Sequence, residues 1–210
     1  MPKLGMELIR KKQVIEATLK CIAECGLEKI TQDMVAKKAG VSKGVVTYYF
    51  KTKHQLLFES YQSFLDNYLY SIEQYLKESN SLMDVIEIIV AHTLGVLPDK
   101  KRVHADKSDV VALEPIEIKK ITAQMYARVA DNEAYKSMVY EVYNAYYKAI
   151  KEVIDLGIEK KEFKTQASDR AAYQIMVLLE GMLMYDIIEF HLPEVDSFEM
   201  CMAFVKKILI

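Results

Sequence analysis

The residues from Thr31 to Phe50 leave the chain little freedom in how it folds. Two short helical stretches, Gln32 to Ala39 and Lys43 to Phe50, are joined by Gly40, Val41 and Ser42. These are the elements of a helix-turn-helix, in which two helices cross over a tight turn. Counting Gln32 as position 1, Val35, Ala36, Ala39, Gly40, Val41, Val46 and Tyr49 stand at positions 4, 5, 8, 9, 10, 15 and 18. Position 5 must be small because the helices cross there at close range. Position 9 favours glycine because the turn needs a left-handed backbone. The remaining positions pack the pair against a preceding helix. An ordinary helical corner needs none of this, and it leaves unexplained the basic residues gathered here: Lys37, Lys38, Lys43, Lys51 and Lys53.

The charge of the chain is divided in the same place. The net charge is −2, yet residues 1–55 hold eleven Lys and Arg against five Asp and Glu, while residues 56–210 hold seventeen against twenty-five. A basic head on an acidic body suggests that the head meets a polyanion and the body does not. At 210 residues, 51% hydrophobic and 28% charged, there is enough apolar mass for a sizeable core. Seven Gly and four Pro are too few for a turn-rich sandwich, barrel or propeller. Three cysteines, Cys21, Cys25 and Cys201, give no disulfide framework. No signal core or apolar run near 18 residues is present, so a soluble, cytoplasmic, non-membrane protein is expected.

Apolar spacing is helical nearly throughout. Ile15, Leu19 and Ile22 form a first stripe, closed by Gly26. Thr31 and Ser42 are expected to cap the two motif helices. Further helices are predicted from Lys53 to Glu78, Leu82 to Leu97, Glu114 to Ala130, Asn132 to Gly157, Ala171 to His191 and Ser197 to Leu209, with Pro115 in a first turn and Ser168 as a cap. A polar loop is expected over Asp99–Ser108. The predicted architecture is all-α, with about nine or ten helices: an N-terminal three-helix helix-turn-helix DNA-binding domain (1–52, motif 31–50) and a C-terminal helical domain (53–210).

The stretch from Ile30 to Lys53 resembles the TetR family of bacterial transcriptional regulators. The shared pattern is Thr31, then Val35-Ala36, then Ala39-Gly40-Val41-Ser42-x-Gly44, Tyr48-Tyr49-Phe50 and Lys51-x-Lys53 before a leucine-rich helix. The resemblance is close over about 50 of 210 residues and elsewhere concerns layout only: helix lengths, the Gly157 region and the apolar helix around Gly181. Val35 replaces the family's usual Ile. Val45 stands where Thr is common and Thr47 where an aromatic is common, so the operator and phosphate contacts are expected to differ from those of better-known members.

On chemistry, Thr31 at a helix start offers a hydroxyl and a backbone N–H to a phosphate. Lys43, Gly44 and Thr47 belong on the outer face of the second motif helix, where glycine allows close approach and Lys43 and Thr47 reach base edges or phosphates. Tyr48 and Tyr49 divide labour between a phosphate and the core, Tyr49 mainly packing. Lys53 matches the family's phosphate-contacting lysine. Gln32 and Val46 complete the DNA-facing set, and Phe50 belongs to the core with Leu56 and Leu57.

The resemblance also implies a homodimeric regulator of palindromic double-stranded operator DNA, a repressor released by a small lipophilic effector; a transcriptional activator and an effector-independent helical DNA-binding protein are the alternatives. The tyrosine- and methionine-rich body suits an adaptable cavity, with His92, Met125, Tyr126 and Tyr143 as candidate lining. The acidic body leans towards a lipophilic cation as effector, although a solvated acidic surface explains the same charge. Gly181 inside an apolar helix points to a close helix–helix crossing. A two-fold dimer interface of Tyr147, Ile150, Ile154, Ile175, Leu178, Gly181, Met182 and Tyr185 is therefore expected. Cys21 and Cys25 fall short of a zinc pattern and read as packing. The four histidines are scattered, and no phosphate-binding glycine loop or catalytic cluster can be assembled, so neither an enzyme nor a cofactor is expected.

Overall fold

The computed structural model describes residues 4–79, 81–96, 113–190 and 192–210. Among them are nine helices and no strand: α1 (Leu4–Cys25), α2 (Gln32–Ala39), α3 (Lys43–Tyr49), α4 (Lys53–Glu78), α5 (Leu82–Thr93), α6 (Pro115–Val129), α7 (Glu133–Glu159), α8 (Ser168–Ile187) and α9 (Ser197–Leu209). The all-α expectation holds. The predicted loop at Asp99–Ser108, Leu97 and His191 lie outside the described residues.

Local chemistry sets most helix starts. Thr31, Ser81 and Asp196 each accept a bond from a backbone N–H of the first turn, at Met34, Met83 and Glu199. Before α6, Glu114 and Glu117 form a reciprocal capping box with Pro115 in the first turn. Asn132 Oδ1 accepts from the N–H groups of Ala134 and Tyr135 to start α7.

The chain forms two compact units. The first gathers α1, α2, α3, α4 through Tyr68, α6 and α7 through Tyr140; the second gathers the rest of α4 and α7 with α5, α8 and α9. Compact packing thus does not divide at residue 52. In the first unit α1 packs on both α2 and α6. Its core takes the predicted stripe of Ile15, Leu19 and Ile22 together with Val35, Val46, Phe50, Leu56, Leu57, Tyr61 and Ile121. Each fully buried aliphatic side chain of this kind contributes about 1.5–3 kcal/mol. The Tyr135 ring meets His54, Phe58 and Tyr61 of α4 edge-on, with centroids 5.7, 5.8 and 5.7 Å away, the geometry that aromatic quadrupoles favour. Burial pushes the Tyr61 phenol up.

In the second unit α5 packs on α8 and α9, which also pack on each other. Glu162 reaches back across the chain: its Oε2 accepts from the N–H of Leu82 at 2.8 Å and lies 3.3 Å from the Ser81 hydroxyl, adding a tertiary cap to α5.

Three expected boundaries differ. Gly157 does not end α7. The helix runs on to Glu159, and the chain turns at Lys161, whose φ is 61°. Gly157 instead makes room for buried Phe163: a Cβ there would stand 2.1 Å from the ring. Ser168 lies inside α8 rather than capping it, because its hydroxyl bonds to Asp155 of α7. That bond and Lys151, the larger influence, hold the Asp155 carboxyl below the usual range. Helix α5 stops at Thr93, before left-handed Gly95.

Candidate nucleic-acid interface

Helices α2 and α3 are held by the residues the spacing singled out. Gly40 has φ 64°, and its N–H returns to the carbonyls of Ala36 and Lys37, closing α2 as the turn requires. Val35, Ala36 and Val46 are buried at 0, 4 and 0% exposure. The amide of Gln32 donates to the Phe50 carbonyl at 3.1 Å and ties the start of α2 to the end of α3.

This packing settles which side chains face outward. Val46 is fully buried and belongs to the core of the head, a correction to its placement among DNA-facing residues. On a helix of seven residues packed against α2, one face is consumed by packing, and Val46 lies on it. Thr31, Lys43, Gly44 and Tyr48 are exposed, and Thr47, Tyr49, Gln32 and Lys53 are half-buried. The Thr31 Oγ1 accepts from Met34 N–H at 3.2 Å, which leaves its own proton for an outside acceptor. A Cβ at Gly44 would meet only the Ser42 hydroxyl, at 3.7 Å, so the backbone is open to approach. Thr47 Oγ1 donates back to the carbonyls of Lys43 and Gly44, 3.2 Å from each.

The two tyrosines differ in exposure. The Tyr48 ring is 64% exposed, with Lys51 Nζ 5.6 Å from its centroid, and meets half-buried Tyr49 edge-on at 5.1 Å. Lys53 Nζ donates to the Glu28 carbonyl at 3.1 Å, beside the start of α4.

Two features escaped the sequence reading. Asp33, in the first turn of α2, accepts from Lys43 Nζ at 2.7 Å, with both side chains largely exposed. The signal was available: Asp33 is the one acid between Thr31 and Lys53. The second feature left no sequence signal. Gln124 and Arg128 of α6 hold the turn after α1, Gln124 accepting from Leu27 N–H at 3.4 Å and Arg128 pairing with Glu28 at 2.5 Å. About a hundred residues separate these partners.

Of the candidate effector residues, Met125 is 1% exposed and packs the core of the first unit, where half-buried Tyr126 also lies. Half-buried His92 and Tyr143 belong to the second unit, in which Thr93 Oγ1 and Tyr146 OH are 3.5 Å apart. The four are therefore not one set within either unit. A cavity of about 380 Å³ bordered by Leu82, Glu152, Leu156 and Lys160 includes none of them.

Of the candidate interface residues, Ile150, Ile154 and Ile175 are each 0% exposed and Met182 is 9% exposed; they fill the subunit's own core and are corrected on that ground. Tyr147 donates to Asp169 at 2.7 Å, linking α7 to α8, and this bond raises its pKa. Half-buried Leu178 and exposed Gly181 and Tyr185 remain on the outer side of α8. Tyr173, Val177, Met184 and Ile188 join them at 65, 54, 44 and 61% exposure. Among the described residues, nothing lies within 4 Å of a Cβ built at Gly181. Cys21 and Cys201 are buried, which pushes the Cys201 thiol up to about 11 and raises that of Cys21. No helix among the described residues is long and apolar enough to cross a membrane.

Comparison with known proteins agrees with this geometry. The family described as bacterial regulatory proteins, tetR family, matches residues 14–59. The HTH-type transcriptional regulator BetI of Proteus mirabilis is 49% identical over 57 residues, which are 27% of this chain and 28% of that protein. The match thus spans under a third of that curated relative. Over nearly the whole length, the fold is that of a TetR-family transcriptional regulator from Rhodococcus sp., with a TM-score of 0.74 at 17% identity, covering 96% of this chain and 98% of that one. A transcriptional regulator from Saccharomonospora viridis in complex with choline has a TM-score of 0.71 at 16% identity, covering 94% of this chain and 93% of that one. These relatives are regulators and not enzymes. The motif residues and the three-helix head thus match the tetR family over residues 14–59, and the fold of the whole chain is similar to that of TetR-family structures.

Proposed function

We propose that this chain is a DNA-binding transcriptional regulator that acts as a homodimer on a palindromic operator, represses from it, and is released by a small effector. The observation that carries the reading is the outward surface of α2 and α3, where Thr31, Lys43, Gly44, Thr47, Tyr48 and Lys53 offer donors, a cationic head and an open backbone together. Phosphate contacts from such groups position a helix, and side chains on its outer face read the groove. The apolar outer stripe of α8 supports the dimer, since a two-fold axis through it supplies the symmetry that a palindrome requires.

The effector is proposed as a small lipophilic cation. The choline bound by the Saccharomonospora viridis regulator motivates the class, and tyrosine faces attract quaternary ammonium groups. Within the second unit, His92 and Tyr143 beside the Thr93–Tyr146 contact are the proposed contacts. An effector acts only through its different affinity for two states. Recognition helices of simple dimers meet half-sites about 34–36 Å apart, so a modest change in their separation ends simultaneous contact.

The test is DNA binding by the purified chain over a salt series. One palindromic site selected from random duplexes is expected to bind with log K falling by about 0.9 per phosphate contacted for each unit of log salt. Binding that ignores salt, or that is equal for unrelated duplexes, refutes the reading. Choline added to the complex tests the effector class.

A further inference from the structure

We infer that Asp33 and Lys43 act as one reading unit for a single G·C pair in each half-site, with Lys43 taking the guanine and Asp33 the cytosine. The inference rests on the proposed binding of the head to operator DNA.

Three observations carry it. Lys43 is the one charged residue of α3, and it stands next to Gly44, where the backbone is open. Its Nζ is held 2.7 Å from Asp33 Oδ2 although both side chains are more than half exposed. Asp33 is also the one acid between Thr31 and Lys53, against five lysines. A carboxylate on a surface that approaches phosphates weakens binding to every sequence, a cost that a bond to one base offsets for the matching site.

The chemistry of the groove supplies that discrimination. A G·C pair presents guanine O6 and N7 as acceptors and the cytosine N4 amine as a donor along its major-groove edge. Guanine O6 and cytosine N4 are themselves hydrogen-bonded, about 2.9 Å apart. The ion pair presents a donor and an acceptor at nearly that separation, in the complementary order. Lys43 Nζ donates to O6 while Asp33 accepts from N4, and the two keep their bond to each other. With adenine in the guanine's place the N6 donor and O4 acceptor stand in the reverse order; with thymine there the order is kept, but the second acceptor that guanine N7 offers Lys43 is lost to an apolar methyl group.

The test is selection of duplexes from a randomised pool by this chain, by its Asp33→Ala and Asp33→Asn variants, and by the double variant that adds Lys43→Ala to Asp33→Ala. The unaltered chain is expected to require a G·C pair at one position per half-site, with replacement costing roughly ten- to hundredfold in affinity. Asp33→Ala is expected to abolish that requirement while tightening binding to unrelated duplexes. Asp33→Asn, of nearly the same shape, is expected to move the preference towards A·T, because an amide pairs with adenine N6 and N7. Lys43→Ala on top of Asp33→Ala is expected to change the preference at that position no further. If Asp33→Ala or Asp33→Asn keeps the original requirement, the pair is an ordinary surface bridge and the inference falls while operator binding stands. If the unaltered chain enriches no sequence, the proposed function falls and this inference with it.

Discussion

Helices α3 and α8 each turn one side away from the rest of the chain, and the two sides are opposites. On α3 the outward residues are Lys43, Gly44 and Tyr48, with half-buried Thr47 beside them. On α8 they are Tyr173, Val177, Gly181, Met184, Tyr185 and Ile188. The first surface keeps its hydrogen-bonding groups in water, as the proposed binding to phosphates and base edges requires. The second holds large apolar side chains in water, a loss that only burial recovers. Exposure alone therefore says little; the chemistry of what is exposed separates a surface for a polyanion from one suited to a second copy. The glycines divide similarly. Gly40 bends the backbone, Gly157 leaves space for Phe163, and Gly181 leaves a gap that none of the described residues fills.

The strongest way to break this contrast is Gly181→Glu, which places a charge in the apolar stripe of α8. Sedimentation is expected to show monomers, circular dichroism an intact helical head, and operator affinity a fall of roughly hundredfold or more as two-site binding is lost. A dimer with full affinity would move the interface elsewhere.

A smaller effect separates the two helical glycines. Gly157→Ala drives a methyl into the Phe163 ring and is expected to destabilise by about 1–3 kcal/mol, lowering Tm by roughly 2–4 °C for each kcal/mol. Gly181→Ala meets open space within the subunit and is expected to leave its stability unchanged or raise it by up to about 1 kcal/mol. Thermal melts of the pair decide the matter, and equal losses would show that Gly181 is also closely packed inside the subunit.

On the polar side, Lys53→Ala is expected to weaken binding to all duplexes alike and to reduce the salt slope by about one, as the loss of a phosphate contact does. Thr47→Ala is expected to have the smallest effect. Its hydroxyl already returns to the helix carbonyls, which leaves its methyl for contact with a base, and preference at one thymine per half-site is expected to weaken by about 1 kcal/mol. If Lys53→Ala altered base preference and Thr47→Ala the salt slope, the two roles would be interchanged.

Much of the candidate site was legible because its determinants are local. The cap at Thr31, the left-handed turn at Gly40 and the burial of Phe50, Leu56 and Leu57 all involve residues close in the chain. Val46 was misplaced because two kinds of position, DNA-facing and core-facing, alternate within one turn of α3. Ile150, Ile154 and Ile175 were misplaced for a related reason. Apolar spacing marks a helix face that is buried, yet it does not say against what.

The sequence by itself determined the helices, the three-helix head and its basic outer surface. Helical hydrogen bonds and caps close over three or four residues, and a seven-point spacing is hard to satisfy in any other fold. Only the tertiary structure decided that Phe163 fills the space over Gly157, that Glu162 caps α5, that α6 grips the turn at Leu27 and Glu28, and that Asp33 holds Lys43. Each of these contacts joins groups from different helices or turns. Helical periodicity gives a side chain its direction but leaves its partner undefined until the helices have packed.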